Sequence, residues 1–208
     1  MATNYDKYVE QMRKIADISH SIAVLNWDKE TYLPKKSAAM RSQQIATLSG
    51  IVHEEFTNPG FGNLLERLNN QKNIDDDKKK NVTVTLKDYY KATKFTKRFV
   101  MQKSMAVSKC FQAWLKAREA NNFVLYQEAL EVLVKIKRIE AKKLNSNAEH
   151  LYDNLLDQYE PGLTVAKSDK IFNGLKKPLK KLISDINKKK APKKNFLYKK
   201  YDKDIQWN

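Results

Sequence analysis

Tyr152-Asp-Asn-Leu-Leu-Asp-Gln-Tyr-Glu-Pro-Gly162 sets three acids, two tyrosines and two leucines against a Pro-Gly stop. Leu151, Leu155 and Leu156 stand at i, i+4 and i+5, the spacing of one helical face. Pro161 disfavours helical backbone at Glu160, and Gly162 follows as a natural terminator. The stretch therefore predicts a helix that runs to Glu160 and stops at Pro161.

The same three-to-four spacing recurs on both sides of it. Residues 4–30 read as an amphipathic helix through Tyr5, Tyr8, Val9, Met12, Ile15, Ala16, Ile22, Ala23 and Leu25, with Asn4 as its cap. Lys35 and Lys36 follow Pro34 as a linker, and Ser37 caps a second helix to Phe56. Its expected inner stripe is Ile45, Leu48, Ile51, Val52 and Phe56. Thr57-Asn-Pro-Gly60 reads as a turn before a short helix with Leu64, Leu65 and Leu68 inside. Asp75, Asp76 and Asp77 suit a helix N-terminus, and that helix is expected to run towards Phe95. Val82-Thr-Val-Thr85 alternates like a strand, but Leu86, Tyr89 and Tyr90 continue a helical stripe.

Thr96 is the expected cap of a helix to Ala120, with Phe99, Val100, Met105, Val107, Phe111, Trp114 and Leu115 inward. Asn121-Asn122 interrupts, and a helix over 123–144 follows with Val124, Leu130, Leu133, Val134, Ile136 and Ile139 apolar. Beyond Gly162, Ser168 is the expected cap of a helix over 169–187. Ile171, Phe172, Leu175, Leu179, Leu182, Ile183 and Ile186 form its buried side, and Pro178 bends it. These segments make an all-α chain, an elongated bundle of about seven helices. Residues 1–190 form the helical domain and residues 191–208 a basic linker.

Only five glycines and five prolines in 208 residues support long helices. The lone cysteine, Cys110, forms no internal disulfide and reads as a small apolar group on a helix face. The polar N-terminus has no apolar signal region, and no run approaches the roughly 18 apolar residues that span a bilayer. A soluble, cytoplasmic protein with no membrane partner is the expectation. The net charge of +16 is concentrated between Lys170 and Lys203, where thirteen lysines face two acids, Asp185 and Asp202. Base-edge reading favours the flat arginine fork, so a solvated lysine surface is preferred over a nucleic-acid interface. Lysine-driven, sequence-indifferent nucleic-acid contact remains an alternative.

Chemistry-bearing motifs are sparse. The three histidines, His20, His53 and His150, are not paired one helical turn apart. His53-Glu54-Glu55-Phe56-Thr57 begins like H-E-x-x-H, but Thr57 stands where the second imidazole is needed. These histidines read as surface or packed residues, and no metal ligand, cofactor-binding residue or catalytic residue is assigned. Glu160 is the one carboxylate considered for acid–base work, against a reading in which it accepts backbone hydrogen bonds in a turn. Trp27, in Asn26-Trp-Asp28, and Trp114 read as core.

The Tyr152–Gly162 stretch resembles the YD-x-LL-D-x-YEPG segment of the Taq-type metallocarboxypeptidases. Leu25-Asn-Trp-Asp28 with Pro34, Arg41 and Gln44 is similar to the family's L-x-W-D…P…R-x-x-Q segment. Leu48–His53 is similar to its L-x-x-L-x-H stretch, and Ala113–Arg118 with Phe123 to its A-W-x-x-A-R-x-x-x-x-F stretch. The expected proline is missing near Lys97. The resemblance implies an enzyme that uses zinc or cobalt to remove residues from peptide C-termini. It also implies that H-P-F, D-x-R-x-T and H-E-x-x-H segments lie beyond the position of Asn208. On that reading the chain is the N-terminal part of such an enzyme. It supplies a wall of the peptide groove and a dimer surface, is a homo-oligomer, and is inert by itself. The other class of reading is a non-enzymatic helical interaction module.

Overall fold

The computed structural model describes residues 3–190, 199–202 and 204. Among them all regular structure is helical: α1 (Asn4–Thr31), a 3-10 turn (Lys35–Ser37), α2 (Ala38–Phe56), α3 (Pro59–Asn69), α4 (Asp76–Ala92), α5 (Lys97–Glu119), α6 (Val124–Leu144), α7 (Asp153–Leu156) and α8 (Val165–Asn187). The all-α expectation holds, with eight α-helices in place of about seven. The chain divides into two units, Met1–Asn154 and Leu155–Asn208, with α1–α6 in the first and α8 in the second.

In the first unit α2 packs on α1 and α5, α5 packs on α6, and the α3–α4 pair packs together and on α1. One buried cluster joins Tyr8 and Ile15 of α1, Phe61, Leu65 and Leu68 of α3, and Val82 and Leu86 of α4. Val82 and Thr85 both face inward, so the helical stripe overrides the strand-like alternation at 82–85. The Tyr8 hydroxyl lies 2.9 Å from Thr85 Oγ1, while Thr85 donates its own proton to the Asn81 carbonyl at 2.8 Å. Tyr8 is therefore the donor of that buried bond. Gly62 of α3 meets the Tyr89 ring of α4 so closely that a Cβ there would overlap the ring.

Helix starts follow capping chemistry. Thr3, not Asn4, caps α1: its hydroxyl accepts from Asp6 N, and the Asp6 carboxylate accepts from Thr3 N at 2.8 Å. This is a reciprocal capping box, which satisfies two otherwise orphaned donors. Asn58 caps α3 and Pro59 opens it, so the Thr57–Gly60 turn is shorter than expected. Asp75 and Thr96 cap α4 and α5. Ser37 makes no capping bond, and α2 is entered instead through the 3-10 turn over Lys35–Ser37. Thr164, not Ser168, caps α8, four residues earlier than expected.

The inward faces differ from the expected stripes where small residues pack. On α2 the buried line is Ser42, Ile45, Ala46, Gly50 and His53, while Ile51 is exposed. Gly50 sits against Met101 of α5, so a Cβ at that position would already be tight. On α5 the buried set is Phe99, Ala106, Ser108, Cys110 and Ala117. Val107, Trp114 and Leu115 are exposed. On α6 the buried residues are Glu140, Ala141 and Leu144, whereas Val124, Val134 and Ile139 are exposed. Large-residue periodicity finds helices well but misses seams at which small side chains let two backbones approach.

In the second unit α8 runs through Pro178 as one helix. All seven side chains expected on its buried side are exposed, at 48–67% of their free area. The apolar tail residues Phe196, Leu197, Tyr198, Ile205 and Trp207 lie outside the described residues.

Candidate functional site

The motif residues singled out in the sequence fall at structural joints. At the end of α1 the Arg41 guanidinium of α2 reaches back to the Asp28 carboxylate and donates to the Leu25 carbonyl at 3.3 Å. Its Nε donates to Gln44 Oε1 at 2.9 Å. A planar, multi-donor cation thus ties α1 to α2 within the segment that carries Asp28, Arg41 and Gln44. Trp27 is 57% exposed, with its ring edge-on to Tyr32 at 5.4 Å. Trp114 is 42% exposed and stacks on Phe111 at 5.9 Å. Neither tryptophan is a core residue.

His53 is buried, and its Nε2 lies 2.9 Å from the Phe95 carbonyl at the α4–α5 junction. A carbonyl only accepts, so Nε2 carries the proton. The two carboxylates after it turn to lysines. Glu54 pairs with Lys97 at 2.7 Å, and Glu55 accepts from Lys14 at 2.6 Å and from Gln11 at 3.1 Å. The hydrogen bond from Lys14, with that from Gln11, holds the Glu55 carboxyl below its ordinary value. His20 and His150 are exposed. Among the described residues no group of three or more His, Cys, Asp or Glu is placed to hold a metal ion. These histidines do not form the donor set that a catalytic ion needs, so no step is assigned through one.

Glu140 of α6 was not singled out in the sequence. It is 2% exposed and lies between Lys103 of α5 at 2.5 Å and Lys137 at 2.9 Å. Burial pushes its carboxyl up, but the hydrogen bonds and charges of the two lysines outweigh that and leave it below its ordinary value. A signal existed: Glu140 continues the inward spacing of Leu133 and Ile136 towards Leu144, where a lone acid needs a partner. Lys103 also borders a cavity of about 300 Å3 between α1, α2 and α5, lined further by Asn26, Lys29, Phe95, Phe99 and Val107. In the same seam between α5 and α6, the buried Cys110 thiol donates to the Tyr126 hydroxyl at 3.5 Å.

The Tyr152–Gly162 stretch forms less helix than expected: α7 spans Asp153–Leu156 and ends well before Pro161. In the first unit Asn154 Nδ2 donates to the Ala141 and Asn145 carbonyls at 2.9 and 2.8 Å. The Lys94 ammonium is bound to the Leu144 carbonyl. Orphaned carbonyls at the end of α6 are thereby satisfied. In the second unit the turn is held by Asp157, whose Oδ1 accepts from Gly162 N at 2.9 Å. Gly162 has φ +82°, a left-handed geometry that glycine adopts without strain. The Glu160 carbonyl accepts from Leu163 N at 3.0 Å, and the residue is exposed. Asp157, which sequence reading passed over, supplies one side-chain bond of this turn, and Lys167 Nζ another, donated to the Gly162 carbonyl at 2.7 Å.

These joints tie helices and turns together through side-chain contacts. A family model described as Carboxypeptidase Taq (M32) metallopeptidase matches residues 7–208, and the chain belongs to that family. The thermostable carboxypeptidase 1 of Pyrococcus furiosus is 31% identical over 194 residues, which are 92% of this chain and 39% of the relative. A solved structure described as that of CHT is 42% identical, with a TM-score of 0.79 over 99% of this chain and 42% of that one. The crystal structure of BsuCP superposes with a TM-score of 0.94 at 26% identity, over 99% of this chain and 42% of that one. The chain therefore spans about two fifths of the length of the relatives it matches. Among the described residues no helix is long and apolar enough to cross a membrane.

Proposed function

We propose that this chain is the N-terminal helical part of a metal-dependent carboxypeptidase that removes C-terminal residues from peptides. Residues 1–190 supply one wall of the peptide groove and a surface for homo-oligomerisation, and residues 191–208 lead towards the part that holds the metal. The observation that carries this reading is a family match over residues 7–208 in a chain about two fifths as long as its relatives. Its motif residues support it, because Asp28, Arg41, Asn154 and Asp157 hold helices and turns together. Zinc or cobalt belongs to the full-length enzyme on this reading, and the chain by itself does not turn over. Purified chain, supplied with zinc or cobalt and a short peptide, is expected to release no C-terminal amino acid. Metal-dependent release by these 208 residues overturns the proposal.

A further inference from the structure

The cavity of about 300 Å3 between α1, α2 and α5 takes no part in the joints described above. Ile45 and Phe99, both buried, line it with Phe95, Val100 and Val107 and make it mostly apolar. The Ser49 hydroxyl in its wall donates to the Ile45 carbonyl at 2.8 Å and is satisfied there. An apolar hollow of about 150 Å3 stays dry and takes up benzene, so this one has room for an apolar body of about eight to ten carbons.

The two lysines that line the cavity differ. Lys103 is already neutralised by Glu140 at 2.5 Å. Lys29 is half-buried, and its ammonium donates to Asn26 Oδ1 at 3.1 Å and lies 5.6 Å from the centre of the Phe111 ring. Among the described residues Lys29 pairs with no carboxylate, and the neighbouring Asp28 is taken by Arg41. With its oxygen on Lys29, the Asn26 amide still has N–H groups to donate. A half-buried cation beside an apolar hollow is completed by one negative charge, whereas a second charge would lose its water without gaining a partner.

We propose that this cavity binds a small apolar monocarboxylate of about eight to ten carbons, with its apolar body among Ile45, Phe99 and Val107 and its carboxylate on Lys29 and the Asn26 amide. Neither a metal nor peptide hydrolysis is needed for this binding.

Hydrocinnamate is the probe, and hydrocinnamyl alcohol is its uncharged counterpart. Each is titrated into the full 208-residue chain, and methyl carbon–proton spectra give both the affinity and the place of binding. Hydrocinnamate is expected to bind one site with a dissociation constant of about 5 mM or tighter, and the alcohol about fivefold more weakly. The methyl signals of Ile22, Ile45, Val100 and Val107 are expected to shift. Lys29→Met is expected to weaken hydrocinnamate about fivefold and to leave the alcohol unchanged. Val107→Trp, at a position 45% exposed, is expected to fill the hollow and abolish binding of both, with helical circular dichroism as the check on folding. The wild-type methyl shifts decide the place of binding whether or not that variant folds. No saturable binding of hydrocinnamate up to about 50 mM overturns the proposal. Methyl shifts confined to the exposed apolar side chains of α8 also overturn it, as do equal losses of acid and alcohol in Lys29→Met.

Discussion

The Arg41 guanidinium in α2 binds the Asp28 carboxylate in α1, with both side chains more than half buried. Arg41 also bonds the Leu25 carbonyl and Gln44, so one side chain carries three contacts that fix where α1 ends against α2. Arg41→Ala is expected to destabilise the first unit by about 1–3 kcal/mol, the scale for charge-assisted hydrogen bonds. Arg41→Lys keeps the charge but not the fork, and is expected to recover less than half of that loss. Urea unfolding followed by helical circular dichroism checks both. Equal stability of wild type and Arg41→Ala refutes the joint.

Glu140 predicts an acid limb. Its carboxyl is held below the ordinary 4.5 because Lys103 and Lys137 outweigh the cost of burying it. A depressed carboxylate adds stability that is fully present above the unfolded-state pKa and fades as pH falls through the folded one. Glu140→Gln is expected to cost about 2–3 kcal/mol at pH 7 and to flatten the loss of stability below about pH 4.5. Unfolding free energies measured from pH 7 down to pH 3 in both proteins read this directly. Parallel curves would remove Glu140 as the cause.

Gly62 predicts a size limit. A Cβ there would enter the Tyr89 ring, which packs edge-on to Phe56 at 6.4 Å. Gly62→Ala is expected to destabilise by about 1–3 kcal/mol through overpacking. The same change made with Tyr89→Ala is expected to cost much less, and the double-mutant cycle isolates the contact. An unchanged cost in the Tyr89→Ala background would point to some other origin.

Tyr8 predicts a smaller effect. Its hydroxyl donates to Thr85 in the core, and Thr85 keeps its own bond to Asn81 when that donor is lost. Tyr8→Phe is expected to cost about 0.5–1.5 kcal/mol, with no residue left holding an unmet donor. Thermal and urea unfolding of the variant measure it. A loss above that range would mean that the aromatic cluster has shifted as well.

Much of the helix order is legible in the sequence because apolar spacing and capping residues are local signals. Asp75 and Thr96 mark their helices, and the Val82–Thr85 run resolves once Leu86 is counted with it. Thr3 was missed because Asn4 beside it is an equally good cap by type; the acid three residues after Thr3 decides between them. Ser42, Ala46 and Gly50 were missed because a search for large apolar residues does not see a seam made from small ones. Trp114 and the α8 stripe fail for another reason: periodicity says which side chains share a face, not what lies opposite that face. The motif residues were visible as a pattern, but the contacts they make were not. Arg41 with Leu25, and Asn154 with Ala141, meet only once helices separated in sequence are brought together.

The α2–α5 seam constrains how this part of the chain tolerates variation. Where Gly50 lies against Met101, a Cβ would stand 3.1 Å from the Met101 Cγ and Sδ and from the Lys97 Cε. A bulkier residue at 50 therefore cannot be absorbed by choosing another rotamer there. The Met101 thioether and the Lys97 stem must give way instead, and because Lys97 also pairs with Glu54, crowding in the seam is passed to an ion pair outside it.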